Sequence, residues 1–123
     1  MTIWRFWFVA TFLLLVPAHL NGQGVSVIEI GNVQLARSLA GVVQDPKGSP
    51  MAGVLVEEVS PDWKHSLRSA RTDAAGSFSF TPVKGRKIYY LQLRMDGFDP
   101  LRVRIKVDRK NGNELKLRMV VSS

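Results

Sequence analysis

In the stretch "LRVRIKVD", residues 101 to 108, Leu101, Val103, Ile105 and Val107 fall on one parity and Arg102, Arg104 and Lys106 on the other. Side chains alternate across a strand with a period of two, so such a segment buries one face and leaves the other in water. The pattern recurs. In "IYYLQLRM", Tyr89, Leu91, Leu93 and Met95 share one face, while Tyr90, Gln92 and Arg94 share the other. In "ELKLRMV", Leu115, Leu117 and Met119 alternate with Lys116 and Arg118. No window beyond residue 24 carries the 3.6-residue period of an amphipathic helix.

Turn signals punctuate these runs. "DPKG" at 45–48 and "DAAG" at 73–76 both place Asp first and Gly fourth, as a type I turn prefers. The Asp73 carboxylate can accept from backbone N–H groups two or three residues on, and Gly76 can take the left-handed conformation that closes a hairpin. An ion-binding loop would want oxygen ligands at alternate positions, and Ala74 and Ala75 offer none from their side chains, so Asp73 reads as structural. The segments "SLAGVVQ", "VLVEEVS", "LRSART" and the strand bearing Phe78 and Phe80 add to the three above. Seven short strands with regular turn signals predict an all-β, seven-stranded antiparallel sandwich.

The first residues, "MTIWRFWFVATFLLLVPAHLNGQG", carry Arg5, an apolar run from Phe6 to Val16, the breaker Pro17 and a small polar stretch from Asn21 to Gly24. That is the order of a secretory signal peptide, with cleavage expected after Gly24 and a competing site at Leu20 to Gly22. The alternative is an uncleaved membrane anchor, but a spanning helix wants about 20 apolar residues. The expected organisation is a signal-peptide helix over 1–24, an N-terminal strand or linker over 25–38, and the sandwich over 39–123. Location is then periplasmic or extracellular. The chain has no Cys, hence no disulfide, no lipid-anchor cysteine and no thiolate for a metal or a nucleophile. A core from about 100 residues suffices for independent folding, and a monomer is expected.

Gly41, Val43, Asp45, Gly48, Pro50, Gly53 and Val56 follow the spacing G-x-V-x-D-x-x-G-x-P-x-x-G-x-x-V. Thr72, Asp73, Gly76, Phe78 and Phe80 come next, then Gly85, Tyr89, Leu91, Gly97 and Phe98. In this order they resemble the carboxypeptidase regulatory-like domain, a transthyretin-like (prealbumin-like) sandwich of Ig-like build. The resemblance runs from about Leu39 to the C-terminus. It implies a non-catalytic accessory domain of bacterial exported proteins, related to the carbohydrate-binding-like sandwiches, with no cofactor. One sandwich hosts many functions, so no ligand is implied. Transthyretin-like hydroxyisourate hydrolases use His and Arg residues and end in Tyr-Arg-Gly-Ser. This chain ends Val120, Val121, Ser122, Ser123 and has one His beyond the leader, so the resemblance does not extend to that activity.

The remaining residues offer little chemistry. His65 has Asp62 and Ser66 beside it in sequence, but a triad needs its members oriented by separate scaffold elements, and a metal wants about three protein ligands. A solvated loop histidine is expected. Glu57 and Glu58 face opposite sides of one strand, which is wrong for paired acid and base work. Alternation from Val54 and Val56 points Glu58 inward, where a bulge or an arginine such as Arg68 or Arg71 must accommodate it.

Two features point to binding. Trp63 lies in the loop "PDWKHS", outside any core pattern, and reads either as a stacking plane for a sugar or as a lid over one end of the sandwich. The second is a hairpin expected across "KNG" at 110–112, with Gly112 left-handed. That register sets Val107 against Leu115 and Ile105 against Leu117, and it also sets Lys106 against Lys116 and Arg104 against Arg118. Such a comb of like charges, extended by Arg102, fits an anionic glycan or an acidic surface on another envelope protein, or else a solvated face that guards a sheet edge. A neutral glycan at Trp63 is the alternative ligand. Nucleic acid suits the formal net charge of +7 but not the exported compartment, and no base-stacking motif is present. The segment "VSVIEIGNVQL" is an eighth edge strand, a strand for a partner, or a linker.

Overall fold

The structure, a computed structural model, describes the strand Leu14–Pro17 and residues 26–123. The described strands are β1 (Leu14–Pro17), β2 (Ser26–Glu29), β3 (Gln34–Gln44), β4 (Leu55–Val59), β5 (Ser66–Arg71) and β6 (Ser77–Ser79). They continue as β7 (Ile88–Arg94), β8 (Phe98–Asp99), β9 (Leu101–Val107), β10 (Asn113–Arg118) and β11 (Val120–Val121). Each of the seven strands read from the sequence has its counterpart. Of the segment expected as a signal-peptide helix, Leu14–Pro17 is extended and pairs antiparallel with β2, and the rest lies outside the described residues.

The sandwich has two layers that share a strand. The larger runs β1-β2-β9-β7-β4-β5 and the smaller holds β6, β3 and β10. Strand β3 belongs to both. Its first residues, Gln34 to Ala36, pair with Ile105 to Val107 of β9, and its later ones pair with β6 and β10. The alternating apolar residues meet between the layers: Val56, Tyr89, Leu91, Leu93, Leu101, Val103 and Ile105 from the larger, Leu39, Val43, Phe78, Leu115 and Leu117 from the smaller, all buried. At Gly41 the strands of the small layer approach closely. A Cβ there would stand 2.8 Å from the Leu115 carbonyl oxygen.

The pairing departs from a purely antiparallel sandwich in three places. β2 and β3 both run parallel to β9, and β3 runs parallel to β10. The segment "VSVIEIGNVQL" thus becomes β2 and the start of β3, laid along the β9 edge with Ile28 fully buried.

The expected hairpin between β9 and β10 does not form. A strand has two edges, and both edges of β9 are taken, one by β7 and the other by β2 and β3. The turn at 108–112 therefore delivers β10 to the smaller layer. Asp108 accepts from the Asn111 amide and, more weakly, from the Lys110 amide, which holds its carboxyl below its ordinary value, and Gly112 donates to the Asp108 carbonyl. Gly112 is not left-handed. Its role is close approach, since a Cβ would stand 2.3 Å from the Ala36 carbonyl carbon.

The Asp-first turns form as the sequence indicates. Asp73 Oδ1 accepts from the Ala75 and Ser77 amides at 2.9 Å each, and Gly76 has φ +75°. That turn does not close a hairpin. It carries the chain from β5 in the larger layer to β6 in the smaller.

Glu58 points into the interior at 2% exposure, between the layers. Arg68 Nε donates to its Oε1 at 2.6 Å and Arg86 Nη1 to its Oε2 at 2.5 Å. The same end of the sandwich is tied down by Tyr89, whose hydroxyl accepts from the Val83 amide and donates to the Arg86 carbonyl, both at 2.9 Å.

Candidate functional site

The loop between β4 and β5 folds back over the outer face of the larger layer. Trp63 sits there with φ +67°, a left-handed conformation that costs a residue with a side chain about 1–2 kcal/mol. A dense set of hydrogen bonds holds it. The Trp63 amide donates to the Ser60 carbonyl and the Ser60 amide to the His65 carbonyl, each at 2.8 Å. The Ser60 hydroxyl donates to Asp62 Oδ1 at 2.5 Å, and the Lys64 amide adds a bond to the same oxygen at 3.0 Å. The Ser60 hydroxyl, then the Lys64 amide, with the His65 charge behind them, keep the Asp62 carboxyl below its ordinary value of 3.8. His65 itself is solvated, with Nδ1 3.9 Å from Asp62 and a side chain 74% exposed.

The indole that this loop carries is half-buried. It meets the Tyr90 ring edge-on, centroids 5.3 Å apart, and the Arg102 guanidinium lies 5.1 Å from its ring centroid. Arg102 Nε in turn donates to Gln92 Oε1 at 3.0 Å. Val59 and Gln92, on the outer face, are each only 5% exposed. Trp63 therefore covers the flank of the larger layer, where the sequence had offered an end of the sandwich.

Beside Trp63 a cleft of about 260 Å³ opens, lined by Trp63, Tyr90, Arg102 and Arg104 on one side and by Glu29, Ile30 and Gly31 on the other. Its far wall is the kink where the chain leaves β2 before β3 begins, and Arg104 Nη2 donates to the Gly31 carbonyl there at 2.5 Å. Of the six residues singled out in the sequence, the structure brings together three: Trp63, Arg102 and Arg104. Lys106 continues along β9 but pairs with Leu35 and Ile88, outside the cleft. Lys116 and Arg118 are exposed on β10, opposite Val42 and Gln44 in the smaller layer. The comb of opposed cations does not exist. Tyr90 was legible as outward-facing; Glu29 to Gly31 carried no signal, since their place depends on parallel pairing with β9.

A family model for the carboxypeptidase regulatory-like domain matches residues 38–120. The chain belongs to this family. A carboxypeptidase regulatory-like domain is a non-catalytic β-sandwich module, in keeping with the fold above. Within it lie Trp63, Tyr90, Arg102 and Arg104, whereas the opposite wall, Glu29 to Gly31, comes from the segment that precedes the matched residues. No match is found among curated proteins.

Proposed function

We propose that this carboxypeptidase regulatory-like domain is an exported binding module of the cell envelope, and that its recognition surface is the Trp63 cleft. The observation that carries the reading is the convergence of two aromatic rings and two guanidinium groups on one concave surface of the outer face. Ligand sites are concave and combine aromatic lining with a few convergent polar groups. The strained backbone at Trp63 adds support, because strain persists only where the surroundings over-determine it and such residues gather at ligand sites.

This geometry favours a saccharide over a broad acidic protein surface. An extended charge patch would need Lys106, Lys116 and Arg118 beside the two arginines, and they are dispersed over two layers. A cleft this small takes a single ring, and aromatic faces with hydrogen-bonding side chains suit a sugar. Of the three tryptophans, Trp4 and Trp7 lie in the leader, so replacing both with Phe leaves Trp63 as the sole indole reporter. Titrating that protein with neutral and acidic glycans at two salt concentrations should change Trp63 emission saturably, and Tyr90→Ala should weaken the response. No saturable change with any glycan, alongside capture of an envelope protein that survives Trp63→Ala, would sink the reading.

A further inference from the structure

The charge inside the cleft specifies the ligand further. The chain's described ion pairs use Glu57, Glu58 and Asp62, and neither Arg102 nor Arg104 lies within 4.0 Å of a carboxylate. The residues outside the description contribute no acid, because the first acidic side chain in the sequence is Glu29. Arg102 and Arg104 are partly buried residues, and the acceptors their guanidinium groups meet, the Gln92 side chain and the Gly31 carbonyl, are neutral. A guanidinium carries five N–H donors in a fixed fork, so each retains donors that nothing in the chain satisfies with charge.

The two are not equivalent. Arg102 faces Glu29 across the β2–β9 register, so its charge is partly offset, and it is engaged with Trp63 and Gln92. Arg104 stands opposite Tyr90, and no acid other than Glu29 lines the cleft. Its bond to the Gly31 carbonyl fixes the guanidinium at the far wall, while the aromatic pair stands at the near one.

We infer that the cleft is selective for a sugar ring bearing a carboxylate, a hexuronate, with the carboxylate on Arg104 and the ring against Trp63 and Tyr90. This rests on the reading of the cleft as a saccharide site and adds the charge of the sugar to it. Arginine is suited to the task because its fork matches a carboxylate in two parallel hydrogen bonds, in a recess where water competes less than at an open surface. A neutral hexose would leave the Arg104 charge unanswered. A free carboxylate would forgo the aromatic contact.

Two ligands that differ only at C6 test this. The full-length protein is titrated calorimetrically with methyl β-D-glucuronide and with methyl β-D-glucoside, and acetate serves as the carboxylate without a ring. The glucuronide should bind about 10- to 100-fold more tightly than the glucoside, the range expected of a charged hydrogen bond. Arg104→Gln should collapse that ratio, lowering the affinity for the glucuronide far more than that for the glucoside. Arg104→Lys, which keeps the charge and loses the fork, should retain only part of it. Lys116→Glu should leave the ratio unchanged. Equal affinity for the two glycosides would overturn the hexuronate assignment and leave the saccharide reading intact. Acetate competing as well as the glucuronide would also overturn it. Absence of binding by either glycoside would overturn both readings.

Discussion

Replacing Glu58 with Gln keeps the shape of the side chain and removes its charge. In the native protein the carboxylate is 2% exposed and receives a guanidinium on each oxygen. Removing one partner of a buried ion pair costs about 3–5 kcal/mol, because the remaining charge is left uncompensated. Here the charges left behind are the arginines, with side chains 30% and 40% exposed, and these can recover part of their hydration. Arg86 swings into water most easily. Arg68 does not, since its Nη2 is already buried without a partner and its guanidinium is packed over Phe80 at 5.0 Å. The expected loss is therefore below that range, about 2–3 kcal/mol. For a domain of this size that lowers Tm by roughly 10–20 °C. Urea unfolding followed by circular dichroism measures it, with an unchanged m-value as the sign that only stability has moved. Arg86→Ala leaves Oε2 of the buried carboxylate without its partner, so it should cost about 1–3 kcal/mol, comparable with Glu58→Gln. A loss under about 0.5 kcal/mol for either substitution would refute the account of Glu58 as the anchor of that end.

Thr72 is 5% exposed, donates to the Met51 carbonyl at 2.6 Å and accepts from the Val54 amide at 2.9 Å. Thr72→Val keeps the volume and strands both groups, so urea titration should show a loss of about 1–3 kcal/mol. The Asp62 carboxyl is held below its ordinary value, so the stability it lends the Trp63 loop is complete above about pH 3.8 and disappears as pH falls through its lowered native value. Emission from the Trp4→Phe, Trp7→Phe protein should therefore show an acid step below that pH, and Asp62→Asn should abolish the step. Reversing Lys116 and Arg118 together should leave glycan binding at the cleft unchanged within a factor of about two, as two exposed charges on the other layer act through screened distance. A larger change in that titration would place the recognition surface on β10 instead.

The parts of this fold written in the sequence are those governed by near neighbours. Alternation in β7, β9 and β10 marked the faces correctly, because period two is set by the backbone whichever strand lies alongside. Asp45 and Asp73 closed their own turns through bonds to amides two and four residues on, which any neighbour in space leaves alone. Glu58 was legible as inward, with a bulge, Arg68 or Arg71 to accommodate it; Arg68 takes the part because the two face each other on adjacent strands. Partner choice was not legible in this way. A short turn at 108–112 favours a hairpin locally, and only the prior claim of β2 and β3 on the β9 edge prevents it. The site divides along the same line. Trp63 stood out because it fits no core pattern, whereas its neighbourhood with Arg102, Arg104 and Gly31 is created by register between strands far apart in the chain.

That β3 and β10 lie side by side and parallel gives the fold a direction of mechanical strength. Beyond the irregularity at Asn113, the ladder runs unbroken from Gly41 beside Leu115 to Gln44 beside Arg118. Tension applied at Gly41 and Arg118 pulls the two strands lengthwise past each other, so the evenly spaced bonds of this parallel stretch share the load and must fail together. Tension at Gln44 and Arg118 would instead peel the pairs apart in succession. Single-molecule stretching through those two attachment geometries should give a clearly higher rupture force for the first, and equal forces would refute the argument. Held at opposite ends of this pair, the two strands behave as a shear-loaded clasp.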